Sequence, residues 1–139
     1  MKTIIFAIFF LTASFTVSAQ NLKLKVVIED IKENKGTIFL SLHDNENSFP
    51  NDMKKAVKTI QIKTFNTTAE YTFTNLKRGA YAVSVFQDLN ENAELDTNFL
   101  GIPKEPVGAS NMTSFGKPKF STSKFTLLND TTIKIQYIN

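Results

Sequence analysis

Asp88, Asn90, Asn92, Glu94 and Asp96 place oxygen-bearing side chains at alternate positions of one short stretch. Ca²⁺ takes six to eight oxygens, so a bend that gathers such side chains with a backbone carbonyl is the local chemistry of a cation loop. Glu94 would donate its backbone carbonyl, which leaves Asp88 and Asp96 as the side-chain carboxylate ligands. Two carboxylates correspond to a dissociation constant of about 10⁻⁴ to 10⁻³ M. The stretch is not an EF-hand, because Phe99 stands where a bidentate glutamate would fall and no helical pattern flanks it. A second reading stays open beside the first. Asp and Asn are favoured turn residues whose side chains satisfy their own backbone, giving a self-capped, metal-free loop.

Asn98, Glu105 and Asn111, beside Asp96, are the candidate ligand-binding residues, since a polar pocket at this end of the chain would draw on them. The remaining chemistry is sparse. His43 is the single histidine, which excludes a multi-histidine metal cluster within one chain. Ser41, His43 and Asp44 invite a hydrolase reading, but Ser41 and His43 lie two residues apart on one expected strand. A nucleophile elbow needs a strand-to-helix turn, so His43 is expected at the surface. Glu94, Asp96 and Glu105 are the carboxylates for glycoside hydrolysis, which needs a pair roughly 5–10 Å apart across a sugar cleft. A small sandwich gives little room for that cleft, and no enzyme is expected.

Met1 to Ala19 has the three parts of a secretory leader. Lys2 supplies the positive start, Ile4 to Leu11 the apolar run, and Val17-Ser18-Ala19 the small residues at the cleavage position. The run is far short of the ~20 apolar residues of a bilayer span. The mature chain is then expected as a single domain from Gln20 to Asn139, in the periplasm or outside the cell, with no membrane span. The chain has no cysteine, so it carries neither disulfides nor a lipoprotein anchor. Of 139 residues 42% are hydrophobic, and 13 Phe with 3 Tyr supply the bulk of one core. Loss of Lys2 leaves a charge of +2, 15 basic against 13 acidic residues, and this with export argues against nucleic acid as partner.

The elements that must hold the bend follow from periodicity. Leu22, Leu24, Val26 and Ile28 alternate with Lys23, Lys25 and Val27, and Ile38, Leu40 and Leu42 after Gly36 alternate with Phe39, Ser41 and His43, which predicts two strands joined by a hairpin at Lys32 to Gly36. Phe49-Pro50 reads as an apolar plug in a polar loop, and Asp52 as the cap of one helical turn. Further strands are expected over Val57 to Phe65 and Ala69 to Thr74, and from Gly79 to Phe86. Tyr81, Val83 and Val85 on one face, with Ala82, Ser84 and Phe86 on the other, mark a central strand. Asp88 to Lys119 is a long irregular excursion, pinned to the core by Phe99, Leu100, Ile102, Val107, Met112 and Phe115. Lys124 to Leu128 and Thr131 to Ile138 are expected to close the chain as a hairpin. The pattern is all-β: an antiparallel β-sandwich of immunoglobulin-like or prealbumin-like type with about seven strands, a closed barrel being the alternative.

The run Gly79-Ala-Tyr-Ala-Val-Ser-Val-Phe-Gln-Asp-Leu-Asn-Glu-Asn-Ala-Glu-Leu-Asp-Thr-Asn, followed by Gly101-Ile-Pro-Lys-Glu, resembles the exported bacterial family of domain of unknown function 2141. Ser48-Phe49-Pro50, Ser110-Asn111 and Phe115-Gly116-Lys117-Pro118 extend the likeness over nearly the whole mature chain. The resemblance implies a periplasmic or secreted β-sandwich without an established activity. Ala93 stands where that family usually has glycine. The Asp88, Asn90, Asn92, Asp96 spacing is also similar to calcium loops of repeat and β-sandwich adhesin domains.

These readings lead to a soluble, non-catalytic binding or accessory module with a candidate Ca²⁺ loop and an unnamed ligand or envelope partner. The alternatives are a small hydrolase acting on envelope carbohydrate and a structural domain of a surface assembly.

Overall fold

Alternating apolar side chains set two sheets face to face, as the periodicity requires. The computed structural model describes residues 21–138, so the leader expected over Met1 to Ala19 lies outside the described residues. The strands are β1 (Leu22–Glu29), β2 (Thr37–His43), β3 (Lys58–Ile62), β4 (Ala69–Leu76), β5 (Gly79–Asp88), β6 (Val107–Ala109), β7 (Phe125–Leu127) and β8 (Thr131–Gln136). A single helical turn, α1 (Phe120–Ser123), precedes β7. One sheet has the order β4-β1-β8, and the other β3-β2-β5-β6, with β7 also paired to β5. Between them lie Leu24, Val26 and Ile28 of β1, Phe73 of β4, Ile38, Leu40 and Leu42 of β2, and Tyr81, Val83 and Val85 of β5. Each fully buried Leu, Ile, Val or Phe here contributes about 1.5–3 kcal/mol relative to exposure.

Several sequence expectations are corrected. There are eight strands, because Val107–Ala109 pairs with β5 inside the stretch expected to be irregular. Both expected hairpins are crossovers between sheets: β1 and β2 lie in different sheets, and so do β7 and β8. Alternation reports which face is buried and not which strand is the neighbour, so a short polar link can also turn the corner of a sandwich. β1 is central and pairs antiparallel with β4 but parallel with β8, so Lys23 and Lys25 do not guard an edge. Lys25 instead pairs with Glu70 across the strands at 2.8 Å. Asp52 caps a turn through the Lys55 N–H at 3.2 Å, but no helix follows.

The crossover after β1 meets β5 at Gly36. Its φ is +75°, and a Cβ there would lie 2.0 Å from the Asp88 carbonyl oxygen. Only glycine satisfies both the left-handed angle and the approach. Gln87, fully buried, donates through Nε2 to the carbonyls of Glu33 at 2.6 Å and Lys35 at 2.8 Å. The end of β5 that carries Asp88 is thus anchored to the link between β1 and β2. Among the described residues no helix is long and apolar enough to cross a membrane.

Candidate functional site

Asp88, the last residue of β5, points away from the inner core yet is 1% exposed. Its Oδ1 accepts the Asn92 N–H at 3.2 Å and its Oδ2 the Ala93 N–H at 2.8 Å. Asn90 Oδ1 accepts the Asn92 N–H at 3.2 Å, and Asn92 Oδ1 accepts the Glu94 N–H at 2.9 Å. The amide groups of Asn90 and Asn92 both donate to the Asp96 carboxylate. Glu91 and Ala93 take left-handed angles, φ 59° and 62°, to let the backbone turn this tightly.

Glu105, 7% exposed, clamps the bend from outside. Its Oε1 accepts the Leu89 N–H at 2.8 Å and its Oε2 the Asp96 N–H at 3.1 Å. All five expected ligands of the bend are therefore brought together, but as partners of one another and of the backbone. Their donor set does not form an open oxygen cage: the Asp88 oxygens face N–H groups, and the Asp96 oxygens face NH₂ groups. Among the described residues no cluster of three or more His, Cys, Asp or Glu is arranged to hold a metal.

Asn98 caps the next turn, its Oδ1 accepting the N–H groups of Leu100 at 2.9 Å and Ile102 at 3.0 Å. Asn111 lies apart, donating to the Lys124 carbonyl at 3.0 Å beside α1. Asn98, Glu105 and Asn111 are thus not gathered into one pocket. Thr97 bridges Pro103, so 96–104 forms a short arm with Phe99 95% exposed at its tip. Leu100, Ile102 and Phe115 are exposed as well, against the expectation that they pin the excursion. The carboxylates of Asp88 and Glu105 do that work, together with Ala109, Met112 and Phe120 around Phe49. The Phe49 ring meets His43 edge-on at 5.4 Å and Phe120 at 6.1 Å, as expected of a plug.

What these exposed side chains frame is an apolar groove of about 290 Å³ on the outer face of the larger sheet. Ser84, Val85 and Phe86 of β5 line it with Val107 and Gly108 of β6. Pro50 and Asn51 close one side, Leu95 and Ile102 another, and Met112, Phe115 and Pro118 a third. A second cleft of about 340 Å³ shares Pro103, Phe115 and Ile138 with it, and is lined by Lys32, Glu33, Lys104, Glu105 and Tyr137. Sequence reasoning missed this groove. The outward faces of β2 and β5 carry Phe39 and Phe86, stacked at 4.9 Å, and that two-faced apolarity was the one available signal.

His43 is not at the surface but fully buried under the groove. Residues 48–50 fold back over the outer face of β2 and cover it. Ser84 Oγ donates to the Pro50 carbonyl at 2.8 Å, which leaves His43 Nε2–H to donate to Ser84 Oγ at 3.1 Å. Ser48 Oγ then donates to Nδ1 at 3.0 Å. The ring is neutral, since burial lowers its pKa to about 4 against the pull of Asp44 and Asp52. The Ser84 hydroxyl hydrogen is committed to a carbonyl and the imidazole faces a second hydroxyl, so the three groups tie the 48–50 loop to β5. Ser41 bonds Thr59 at 2.9 Å and takes no part.

The model of the family described as "Uncharacterized protein conserved in bacteria (DUF2141)" matches residues 26–136. No curated protein and no solved structure matches the chain.

Proposed function

We propose, from the premise that this chain belongs to the uncharacterised bacterial family of domain of unknown function 2141, that it is an exported, non-catalytic module that binds an apolar ligand. The observation that carries the reading is the groove between the 48–51 loop, the 95–103 arm and the 112–118 segment, with exposed Ile102 and Phe115 at its lip. Ligand sites are concave, mostly apolar and largely pre-formed. The Asp88 to Asp96 bend serves that site as scaffold: Asp88 and Glu105 fix the root of the arm that walls the groove. Export rests on the leader-like Met1 to Ala19.

A small hydrolase is the second reading, favoured by the 3.1 Å approach of His43 to Ser84 in the groove lining. Against it stands the direction of the Ser84 hydrogen bond, which leaves His43 no proton to abstract. Labelling of Ser84 by a fluorophosphonate would favour the hydrolase.

The test of the binding reading is titration with a neutral naphthylamine fluorophore that brightens in apolar surroundings. Saturable 1:1 binding is expected, lost in Ile102→Asp with circular dichroism unchanged. Absence of saturable binding to the unaltered chain would refute it.

A further inference from the structure

We propose that the tip of the 96–104 arm docks on the surface of a phospholipid bilayer, with Phe99 and Leu100 entering the acyl boundary. The inference goes beyond the groove reading and does not depend on it, since Phe99 and Leu100 line neither the groove nor the cleft.

Three observations point to lipid. The first is placement. Phe99 is 95% exposed and Leu100 69%, side by side at the tip, and Phe115 on the neighbouring segment is exposed too. Large apolar side chains gathered on one projection mark an interaction surface, and a convex one offers a small molecule no pocket. The second is charge. No Asp, Glu, Lys or Arg occurs from Thr97 to Pro103, or from Pro106 to Gly116. The charges flanking these stretches, Lys104, Lys117 and Lys119 against Glu91, Glu94, Asp96 and Glu105, are of both signs. The tip therefore matches an apolar phase and not a charged surface. The third is the backbone. Four of the six N–H groups from Thr97 to Ile102 are bonded inside the arm. Asn98 donates to the Ile102 carbonyl at 2.8 Å, Gly101 to the Asn98 carbonyl at 2.9 Å, and Leu100 and Ile102 to Asn98 Oδ1. Pro103 has no N–H to satisfy. Hydrocarbon offers a backbone no partners, so a loop enters it only when its polar groups are met from within. A partner protein imposes no such condition, because its own groups can meet them. Glu105, holding Leu89 and Asp96, fixes the root of the arm and keeps the tip presented.

The experiment is flotation of the purified exported protein with vesicles of phosphatidylcholine alone, and of an equal mixture of phosphatidylcholine and phosphatidylglycerol. Binding of similar strength to both is expected. Phe99→Ser combined with Leu100→Ser should weaken it about a hundredfold, as the loss of two apolar side chains from lipid implies, and leave the urea midpoint unchanged. Leu128→Ser removes an exposed apolar side chain beside the start of β5, at the opposite end of that strand from the arm, and should leave binding intact. The chain has no tryptophan, so Phe99→Trp is a local reporter whose emission should move to the blue when vesicles are added. Absence of vesicle binding by the unaltered protein, or equal binding by the double serine variant, would overturn the proposal. Binding confined to the anionic mixture and abolished by salt would overturn it too, since the lysines would then be the contact. So would self-association that the double variant disperses and vesicles leave untouched, which would assign the tip to a second copy of the chain.

Discussion

Asp88 Oδ2 accepts the backbone N–H of Ala93 at 2.8 Å, and Ala93 meets it only by holding φ at 62°. The contact is favourable and the angle is strained. A left-handed alanine lies roughly 1–2 kcal/mol above a relaxed one. Glycine takes that angle freely, but enlarges the freedom of the unfolded chain by about 0.4–1 kcal/mol. Ala93→Gly is therefore expected to stabilise the protein by up to about 1 kcal/mol in urea denaturation. A lower midpoint would show that the bend gains nothing from the substitution.

Glu105 holds the two ends of that bend, Leu89 and Asp96, through separate oxygens. Hydrogen bonds to a charged group are worth about 1.5–3 kcal/mol each. Glu105→Ala should cost about 3 kcal/mol or more, and Glu105→Gln, which keeps one acceptor oxygen, about half as much. Amide hydrogen exchange at Leu89 and Asp96 should accelerate in step with the loss. Unchanged exchange at both amides would mean that the clamp is ornamental.

Because the oxygens of Asp88 and Asp96 already face donors, melting curves in millimolar Ca²⁺ and in chelator are expected to coincide. A calcium-binding bend would behave differently. At ten times its dissociation constant the ion would add about 1.4 kcal/mol. That gain, absent from an Asp88→Ala, Asp96→Ala double variant, would restore the cation loop and displace the self-capped one.

The inner layer was legible in the sequence, and the outer one was not. Tyr81, Val83 and Val85 announce a buried face by period alone, and they occupy it. His43 and Phe39 sit on the opposite face of β2, where the same rule predicts solvent, yet His43 is 0% exposed and Phe39 6%. The 48–50 loop covers His43 and the Phe86 ring stacks on Phe39, and no local pattern says onto which face an excursion will fold. Pairing was hidden for a related reason. Val26 lies opposite Tyr71 on one side and Ile133 on the other, partners that neither turn residues nor alternation could name. Within the bend, Asp88 and Asp96 stood out by type and spacing, whereas the groove is built from Pro50, Ile102, Met112 and Phe115, whose types suggest only packing.

Gly36 offers a steric test of how the crossover is fixed. An added Cβ would meet the Asp88 carbonyl at 2.0 Å, and both groups are backbone, so neither can rotate away. Gly36→Ala should therefore cost more than the 1–2 kcal/mol or so of a left-handed alanine alone. Denaturant midpoints should fall further for Gly36→Ala than for Gly101→Ala, whose φ is +77° with nothing within 4 Å. Equal losses would show that the crossover yields readily.

His43 makes the sharpest pH prediction. Its ring is buried between Ser48 and Ser84, and burial lowers its pKa from 6.5 to about 4, with Asp44 and Asp52 pulling the other way. In the unfolded chain the same imidazole titrates near 6.5. Between those two values the unfolded state binds more protons than the folded one, so stability falls as pH falls. The contribution is complete above pH 6.5, drains away through the window and levels off below about 4. The whole gap is worth about 3 kcal/mol. A His43→Gln variant keeps hydrogen-bonding groups within the same space and removes the titration. Its urea midpoints should change less than those of the unaltered chain between about pH 7 and pH 4.5. Parallel slopes for the two proteins would mean that His43 is not the group whose protonation loosens the 48–50 loop from β5.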